Sequence, residues 1–484
     1  MANQVDKING LTLTNIQAVN GLTDANIQAV NGLTMVGTIN PSVTSLTNAV
    51  YESGGDAIAP TMAFDNATNT IGVCYGDGSN SDYPTVKLAT IDGSNALDWG
   101  QEVVVQSSAA SGVTCIAYDP NADVWVAGAA TTPRNAPTVK AYGGVDNDGN
   151  DTINEPYLTT PGTLQVIYSP DSGKYVDYSP VGNFIIYDDY GSGSTKRFLA
   201  SFVRNTTATG YDNVMHAFTV DVSNDITVGS QTEVEANEPG DSALCWDSTA
   251  SRVVRVGQHD GSPYHVTAQV ITGSGTTVTV GTAVEYANHS VGYHNSNHAG
   301  SSLSRMRYDN TTAKVVHANG VNHCLFWDDI DNDFVVSNFS VSGTTVTWNV
   351  DGSDNPIRSE GIMSEHSGNL TDGKTSGWGE DDYETYSMGA SSSAGRNRII
   401  IFGSGGTDTN CAVLEYTGSG TSGAYAYKGS LLELVGDIRY KMQDASGYQA
   451  TDFNGFLANH VFFTGQEHDE SDDGRLHAVD LGTG

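Results

Sequence analysis

The feature that most constrains this chain is a cassette that recurs along it. An apolar strand ends in an aromatic residue followed by Asp or Ser, a short polar turn follows, and a second apolar strand comes next. Met62-Ala63-Phe64-Asp65 leads to Ile71-Gly72-Val73-Cys74-Tyr75, and Ile116-Ala117-Tyr118-Asp119-Pro120 leads to Val124-Trp125-Val126. Further copies start at Val166-Ile167-Tyr168-Ser169-Pro170, Leu244-Cys245-Trp246-Asp247 and Met306-Arg307-Tyr308-Asp309. Two strands around a turn of this length predict a hairpin, with the Asp or Ser folding back onto the turn amides. A third strand follows at 86–91, 215–222, 266–271 and 334–341. A fourth reads Leu97-Asp98-Trp99-Gly100, Ile226-Thr227-Val228-Gly229, Val278-Thr279-Val280-Gly281 and Val346-Thr347-Trp348. Four strands in roughly 45 to 80 residues, repeated, are the signature of propeller blades. Arg398-Ile399-Ile400-Ile401-Phe402 and Val461-Phe462-Phe463 supply later, degenerate copies. The expectation is an all-β chain: a β-propeller of six or seven four-stranded blades over residues 60–484. A solenoid or a pair of β-sandwiches competes, but neither requires one cassette five times over.

A shorter repeat opens the chain. Ile8-Asn9-Gly10-Leu11-Thr12 returns eleven residues later as Val19-Asn20-Gly21-Leu22-Thr23, and again as Val30-Asn31-Gly32-Leu33-Thr34. Asn15-Ile16-Gln17-Ala18 returns as Asn26-Ile27-Gln28-Ala29. Each unit reads as one helical turn ended by Asn-Gly, then an extended piece. A unit this small cannot bury its own apolar face. Residues 1–36 are therefore either a low-complexity linker or a docking segment. The fixed register of Ile8, Ile16, Val19, Ile27 and Val30 favours docking. Residues 37–59 read as a linker.

Composition narrows the partners. Lys plus Arg number 21 against 56 Asp plus Glu, a net charge of −35. Nucleic-acid binding needs basic patches that displace counterions, so no nucleic-acid partner is expected, and anionic membrane surfaces are disfavoured alike. No window approaches 18 apolar residues, so no membrane span is expected. The N-terminus lacks a signal peptide pattern, so synthesis in a cytoplasm is expected. Five cysteines, Cys74, Cys115, Cys245, Cys324 and Cys411, lie far apart and read as structural thiols rather than a disulfide framework.

The Asn-Gly-Leu-Thr repeats resemble those that open many structural proteins of marine tailed bacteriophages, notably those infecting cyanobacteria. The cassette, with Tyr118-Asp119-Pro120 and the element Val278 to Gly281, resembles repeats in fibre-like proteins of such phages. The resemblance implies a non-enzymatic virion protein, a tail fibre or related appendage for host attachment. Its partners would be other virion proteins through residues 1–36 and a host surface glycan or protein. A homo-oligomer is expected, since phage appendages are commonly symmetric. A capsid fibre or decoration protein is an alternative.

A glycan-degrading, sialidase-like enzyme is another alternative. Ser169-Pro170-Asp171-Ser172-Gly173-Lys174-Tyr175 resembles the Asp-box turn of sialidases, which is structural there, and no arginine cluster or Tyr-Glu pair accompanies it. Asp146, Asp148 and Asn150 alternate as hard oxygen donors suited to Ca²⁺, although the spacing departs from an EF-hand and an ordinary polar turn competes. Asp328 to Asp333 is a second acidic turn. His289, His294 and His298, followed by His317 and His323, read as a surface or inter-blade loop rather than a metal site. Trp378, Tyr383 and Tyr386 fall in a segment outside the cassette and are candidate ligand-binding aromatics, since such rings stack on sugars.

Overall fold

The computed structural model contains seven antiparallel blades in sequence order. It describes six dipeptides between Lys7 and Thr34 and most of the chain from Thr44 to Asp480. Left aside there are residues 56, 66, 92–96, 132–135, 147–155, 171–175, 177–183, 190–195, 207–209, 236–241, 260–264, 287–313, 319, 329–332, 352–356, 360–385, 392–396, 406–407, 419–422, 428–447, 450–459 and 467–472.

Blade 1 comprises Ala57–Asp65, Thr70–Asp77, Tyr83–Ile91 and an outer strand in two pieces, Leu97–Trp99 and Val103–Val104. Blade 2 comprises Ala110–Asp119, Val124–Thr131, Ala136–Tyr142 and Gln165–Val166. Blade 3 runs Ile185–Tyr187, Lys196–Thr206, Gly210–Val220, then Ile226–Val228 and Thr232–Glu235. Blade 4 runs Ser242–Asp247, Arg252–His259, His265–Thr272, then Thr279–Val280 and Val284–Glu285. Blade 5 is Lys314–Ala318, Val321–Asp328, Asp333–Ser342 and Thr345–Trp348. Blade 6 is Tyr386–Ser391, Asn397–Gly405, Asp408–Thr417 and Ala424–Tyr427. Blade 7 takes Tyr448–Gln449, His460–Gln466 and Gly474–Asp480, and its outer strand is Thr44–Glu52. Inner strands of successive blades lie side by side, and blade 7 lies against the inner strand of blade 1. The ring is thus closed by a strand from the segment that reads as a linker.

The blades stack face to face, so their second strands are buried on both sides. Every residue of Thr70–Asp77 and of Val124–Thr131 is buried. This is why those strands are continuous apolar runs rather than alternating ones. Each consecutive pair from blades 1–2 to 5–6 shares one hydrophobic core, for instance Cys74, Leu88, Ile116 and Trp125 between blades 1 and 2. Cys74, Cys115 and Cys324 are buried and Cys245 is half-buried, all as free thiols.

The glycine that ends each Trp-Gly or Val-Gly fourth strand has a packing cause. Gly100, Gly229 and Gly281 sit where the outer strand breaks, each donating its N–H to the third strand, at Leu88, Ala217 and Val270. A Cβ on Gly100 would strike the backbone of Pro156, and one on Gly229 the carbonyl of Thr276, both from the next blade. Only glycine permits that approach.

Two blade starts differ from the sequence reading. Val166 belongs to the outer strand of blade 2, where Gln165 and Val166 pair with Val139 and Thr138, so blade 3 begins instead at Ile185. Blade 5 begins at Lys314, and its first hairpin closes with Ala318 paired to Val321; Met306 to Asp309 lie outside the described residues. In the opening repeat, Ile8 pairs with Leu11, Val19 with Leu22 and Val30 with Leu33, each antiparallel. The helical-turn reading falls on residues outside the description, as do Ile16 and Ile27.

Candidate functional site

Among the described residues, polar side chains gather most densely where first strands turn into second strands. The turns after Asp65, Asp119 and Asp247 share one construction. The Asp carboxylate accepts turn amides: Ala67 for Asp65, Asn121 and Ala122 for Asp119, Ala250 for Asp247. The fourth turn residue is left-handed in each, at Asn69, Asp123 and Ser251. The expected folding-back of the Asp is therefore present in these three blades.

The aromatic preceding each Asp adds an inter-blade contact. Tyr118 of blade 2 has its hydroxyl within reach of Asp65 of blade 1, and it donates to Asp123 at 3.2 Å. Tyr187 of blade 3 reaches Asp119 of blade 2 in the same way and donates to Asp189 at 2.9 Å. Asn121 donates to Tyr187 Oη at 2.7 Å and to Asp189 Oδ1 at 3.0 Å. Burial, then the neighbouring carboxylates, raises both phenol pKa values, and burial raises that of Asp119. Between blades 3 and 4 an arginine substitutes. Arg197 pairs with Asp188 and donates to Gly275 O at 3.0 Å and Thr277 O at 2.7 Å on blade 4.

At blades 4 and 5 the position of the aromatic holds His317, paired across its hairpin with Asn322. His317 Nδ1 lies 3.0 Å from Asn322 Oδ1 and 3.5 Å from Asp247 Oδ1. Asn322 Nδ2 donates to Asp247 Oδ2 at 2.7 Å, and Thr249 Oγ1 lies 3.2 Å from His317 Nε2. Behind it His323, fully buried, contacts the Tyr425 hydroxyl of blade 6 through Nδ1 at 2.7 Å. Burial, with His317 close by, pushes the His323 pKa down to about 3. Of the histidines read as a surface or inter-blade loop, His317 and His323 are thus strand residues buried in blade seams. The reading missed them because it sought spacing along the chain; the available signal was a polar His and Asn inside an apolar hairpin.

The face these turns form is acidic. Asn121, Asp123 and Thr249 are exposed, and Asp189 and Tyr187 are half-exposed. It offers carboxylate acceptors beside phenol and amide groups, a chemistry suited to hydroxylated or cationic ligands and repellent to anions.

The other sequence candidates fall elsewhere. Tyr386 opens the inner strand of blade 6, while Trp378 and Tyr383 lie outside the described residues. Asp146 ends one arm of a small hairpin, Val145–Asp146 with Tyr157–Leu158, whose Val145 and Leu158 pack into the core of blades 1 and 2. Asp148 and Asn150 lie outside the description, as do Asp171 to Tyr175 of the Asp-box-like turn and His289, His294 and His298. One further acidic group, Glu52, Asp77 and Glu102, converges within 4.8 Å at the ring-closing strand. Its members are engaged by the fold: Gly54 N donates to Glu52, Asn80 N to Asp77 and Lys87 Nζ to Glu102. No helix among the described residues is long and apolar enough to cross a membrane.

No protein-family profile and no curated protein matches the chain. Solved structures that align over most of the chain do so at low identity. The β-propeller domain of the Trilobed protease from Pyrococcus furiosus aligns over 90% of this chain and 96% of its own, at 7% identity and a TM-score of 0.39. The WD40 domain of SCAP from fission yeast aligns over 91% and 90%, at 9% identity and 0.38. A putative 6-phosphogluconolactonase from Bacteroides uniformis aligns over 86% and 97%, at 8% identity and 0.45. The propeller assignment rests on the chain's own strand pairing.

Proposed function

We propose that this chain is a virion appendage protein of a tailed bacteriophage, a tail fibre or related part. Its N-terminal repeat docks to other virion proteins, and its propeller presents the acidic turn face to a glycan or protein of the host surface. The observation that carries this reading is the placement of the repeat. Its last hairpin ends at Thr34, and the ring-closing strand begins at Thr44. Only residues 35–43 separate three short, similar hairpins from the rim of blade 7. Two-stranded hairpins of this size are not stable alone in water, so the array needs a surface to settle on. A propeller held by its rim leaves its turn face outward. The test is particle assembly with a chain lacking residues 2–36. The expected result is a folded propeller that fails to enter particles. Normal incorporation of the truncated chain would overturn the docking role.

A further inference from the structure

We infer that Thr249 is an activated hydroxyl nucleophile, with His317 as its general base, able to cleave carboxylic esters of small acyl groups. The inference is independent of the virion reading and rests on the blade 4–5 seam alone.

The carboxylate of Asp247 can only accept hydrogen bonds. The group 2.7 Å from Asp247 Oδ2 is therefore the amide nitrogen of Asn322, and this fixes which way the Asn322 side chain points. Its oxygen then faces His317 Nδ1 at 3.0 Å, so in the neutral ring Nδ1 carries the proton. Nε2 is left with a lone pair, and the group beside it at 3.2 Å is the hydroxyl of Thr249. Hydroxyl, imidazole and carboxylate thus stand in the order that activates an acyl-transfer nucleophile, with Asn322 relaying between the last two.

The clasp between the blades does not need Thr249. Asp247, Asn322 and His317 are buried and close the seam among themselves, while Thr249 is exposed on the turn. The facing turn of blade 5 carries Gly320 at φ +79°, and a Cβ there would lie 3.6 Å from Thr249 Oγ1. The missing side chain keeps the approach to the hydroxyl open. A nucleophile at the tip of a turn can reach only a carbonyl that projects from its carrier, such as an acyl ester on an alcohol.

The step balances without any further reagent. Thr249 Oγ1 forms a bond to the acyl carbon as its proton passes to His317 Nε2. The ester C–O bond breaks, and the departing alkoxide takes that proton. Water then attacks the acyl-threonine and gives a proton to His317; the acyl C–Oγ1 bond breaks, the carboxylic acid leaves, and His317 returns the proton to Thr249 Oγ1. Thr249 is the catalytic nucleophile and His317 the base; Asn322 and Asp247 are positioning residues.

The full-length chain would be incubated with p-nitrophenyl acetate, and separately with a fluorophosphonate probe followed by peptide mapping. The expected result is ester turnover with one adduct, at Thr249. Thr249→Ser should retain turnover, and Thr249→Ala should lower it by about 10²-fold or more, within the range that nucleophile and base contribute. His317→Gln should lower turnover similarly. Since His317 is buried, melting curves accompany each variant; Thr249→Ala, at an exposed position, is the decisive one. Turnover unchanged in a folded Thr249→Ala chain, or labelling that misses Thr249, would overturn the inference, whatever the particle-assembly test returns.

Discussion

The seams at blades 1–2 and 2–3 and the seam at blades 4–5 solve one problem with different chemistry. In each, the residue second from the first turn reaches back to the Asp of the preceding blade. Tyr118 and Tyr187 do so with phenols, and His317 does so with an imidazole. The phenol seams run from the inter-blade phenol–carboxylate contact out to more exposed turn residues, Asp123 beside Tyr118 and Asn121 with Asp189 beside Tyr187. The imidazole seam is a closed network, because Asn322 occupies the paired position and bridges His317 to Asp247. The difference teaches that the backbone sets where an inter-blade contact falls, while the side chain sets how it responds to pH. The tyrosine seams should fail in alkali, and the neighbouring blade 5–6 seam, where buried His323 meets Tyr425, should fail in acid.

The largest expected effect is in acid. An unfolded histidine takes up a proton near pH 6.5, whereas burial holds His323 down to about 3. A folded pKa below the unfolded one contributes stability that is present above about pH 6.5 and is lost as pH falls toward 3. At about 1.4 kcal/mol per pH unit, the loss by pH 3 is on the order of 5 kcal/mol. Urea melts from pH 8 to pH 4 should show this slope, and His323→Gln should flatten it. An equally steep acid slope in that variant would place the titrating group elsewhere. His216, also lowered by burial, contributes in the same direction.

Removing the acceptors separates the seams next. Asp247→Ala strands the buried Asn322 amide and His317, and should cost about 2 to 4 kcal/mol. Asp65→Ala releases Ala67 N and the Thr68 hydroxyl at a turn that water reaches, and should cost about 1 to 2 kcal/mol. Equal costs in denaturant melts would mean that the network around His317 is no more than a turn cap.

A third effect is independent of both seams and calibrates them. Gly229→Ala places a Cβ against the Thr276 carbonyl, a backbone atom that cannot swing aside. Overpacking of this kind should cost about 1 to 3 kcal/mol. Gly275→Ala, at φ +56° with open space around it, tests backbone strain without the clash.

The same contrast explains what the sequence made legible. The cassette located blades 1, 2 and 4 because Phe64-Asp65, Tyr118-Asp119 and Trp246-Asp247 combine a strand end with a turn cap, two signals that agree. Third and fourth strands followed from apolar runs ending in Trp-Gly or Val-Gly, and the glycines proved to be packing requirements. Val166-Ile167-Tyr168 misled because an outer strand carries the same apolar residues as an inner one, and only pairing with Thr138 and Val139 tells them apart. The true start of blade 3, Ile185-Ile186-Tyr187-Asp188, holds the same motif but follows the Pro- and Gly-containing sequence Ser179-Pro180-Val181-Gly182-Asn183. The ring-closing strand was hidden for a different reason: its partner, Gly474–Asp480, lies at the other end of the chain. The seam network was illegible because Asp247, Thr249, His317 and Asn322 are joined across two blades and no spacing along the chain announces it.

The smallest expected effect belongs to the tyrosine seams. Tyr118→Phe and Tyr187→Phe each remove one hydroxyl and leave the ring in its core, where Tyr118 packs on Trp125 at 4.7 Å and Tyr187 meets Phe198 at 5.7 Å. Hydrophobic burial is preserved, so only the hydrogen bond is lost, about 0.5 to 1.5 kcal/mol for each. Burial beside carboxylates raises both phenol pKa values. Raised folded values contribute stability that is present below the unfolded value near 10 and is lost as pH rises beyond it. The double variant should therefore start slightly less stable than the parent at pH 7 and lose less between pH 9 and pH 11, so that the two stability curves converge. Its acid limb should not change, because His323 is untouched. If the acid limb moved with the alkaline one, the seams would be titrating as one coupled ring and the division between phenol and imidazole contacts would fail.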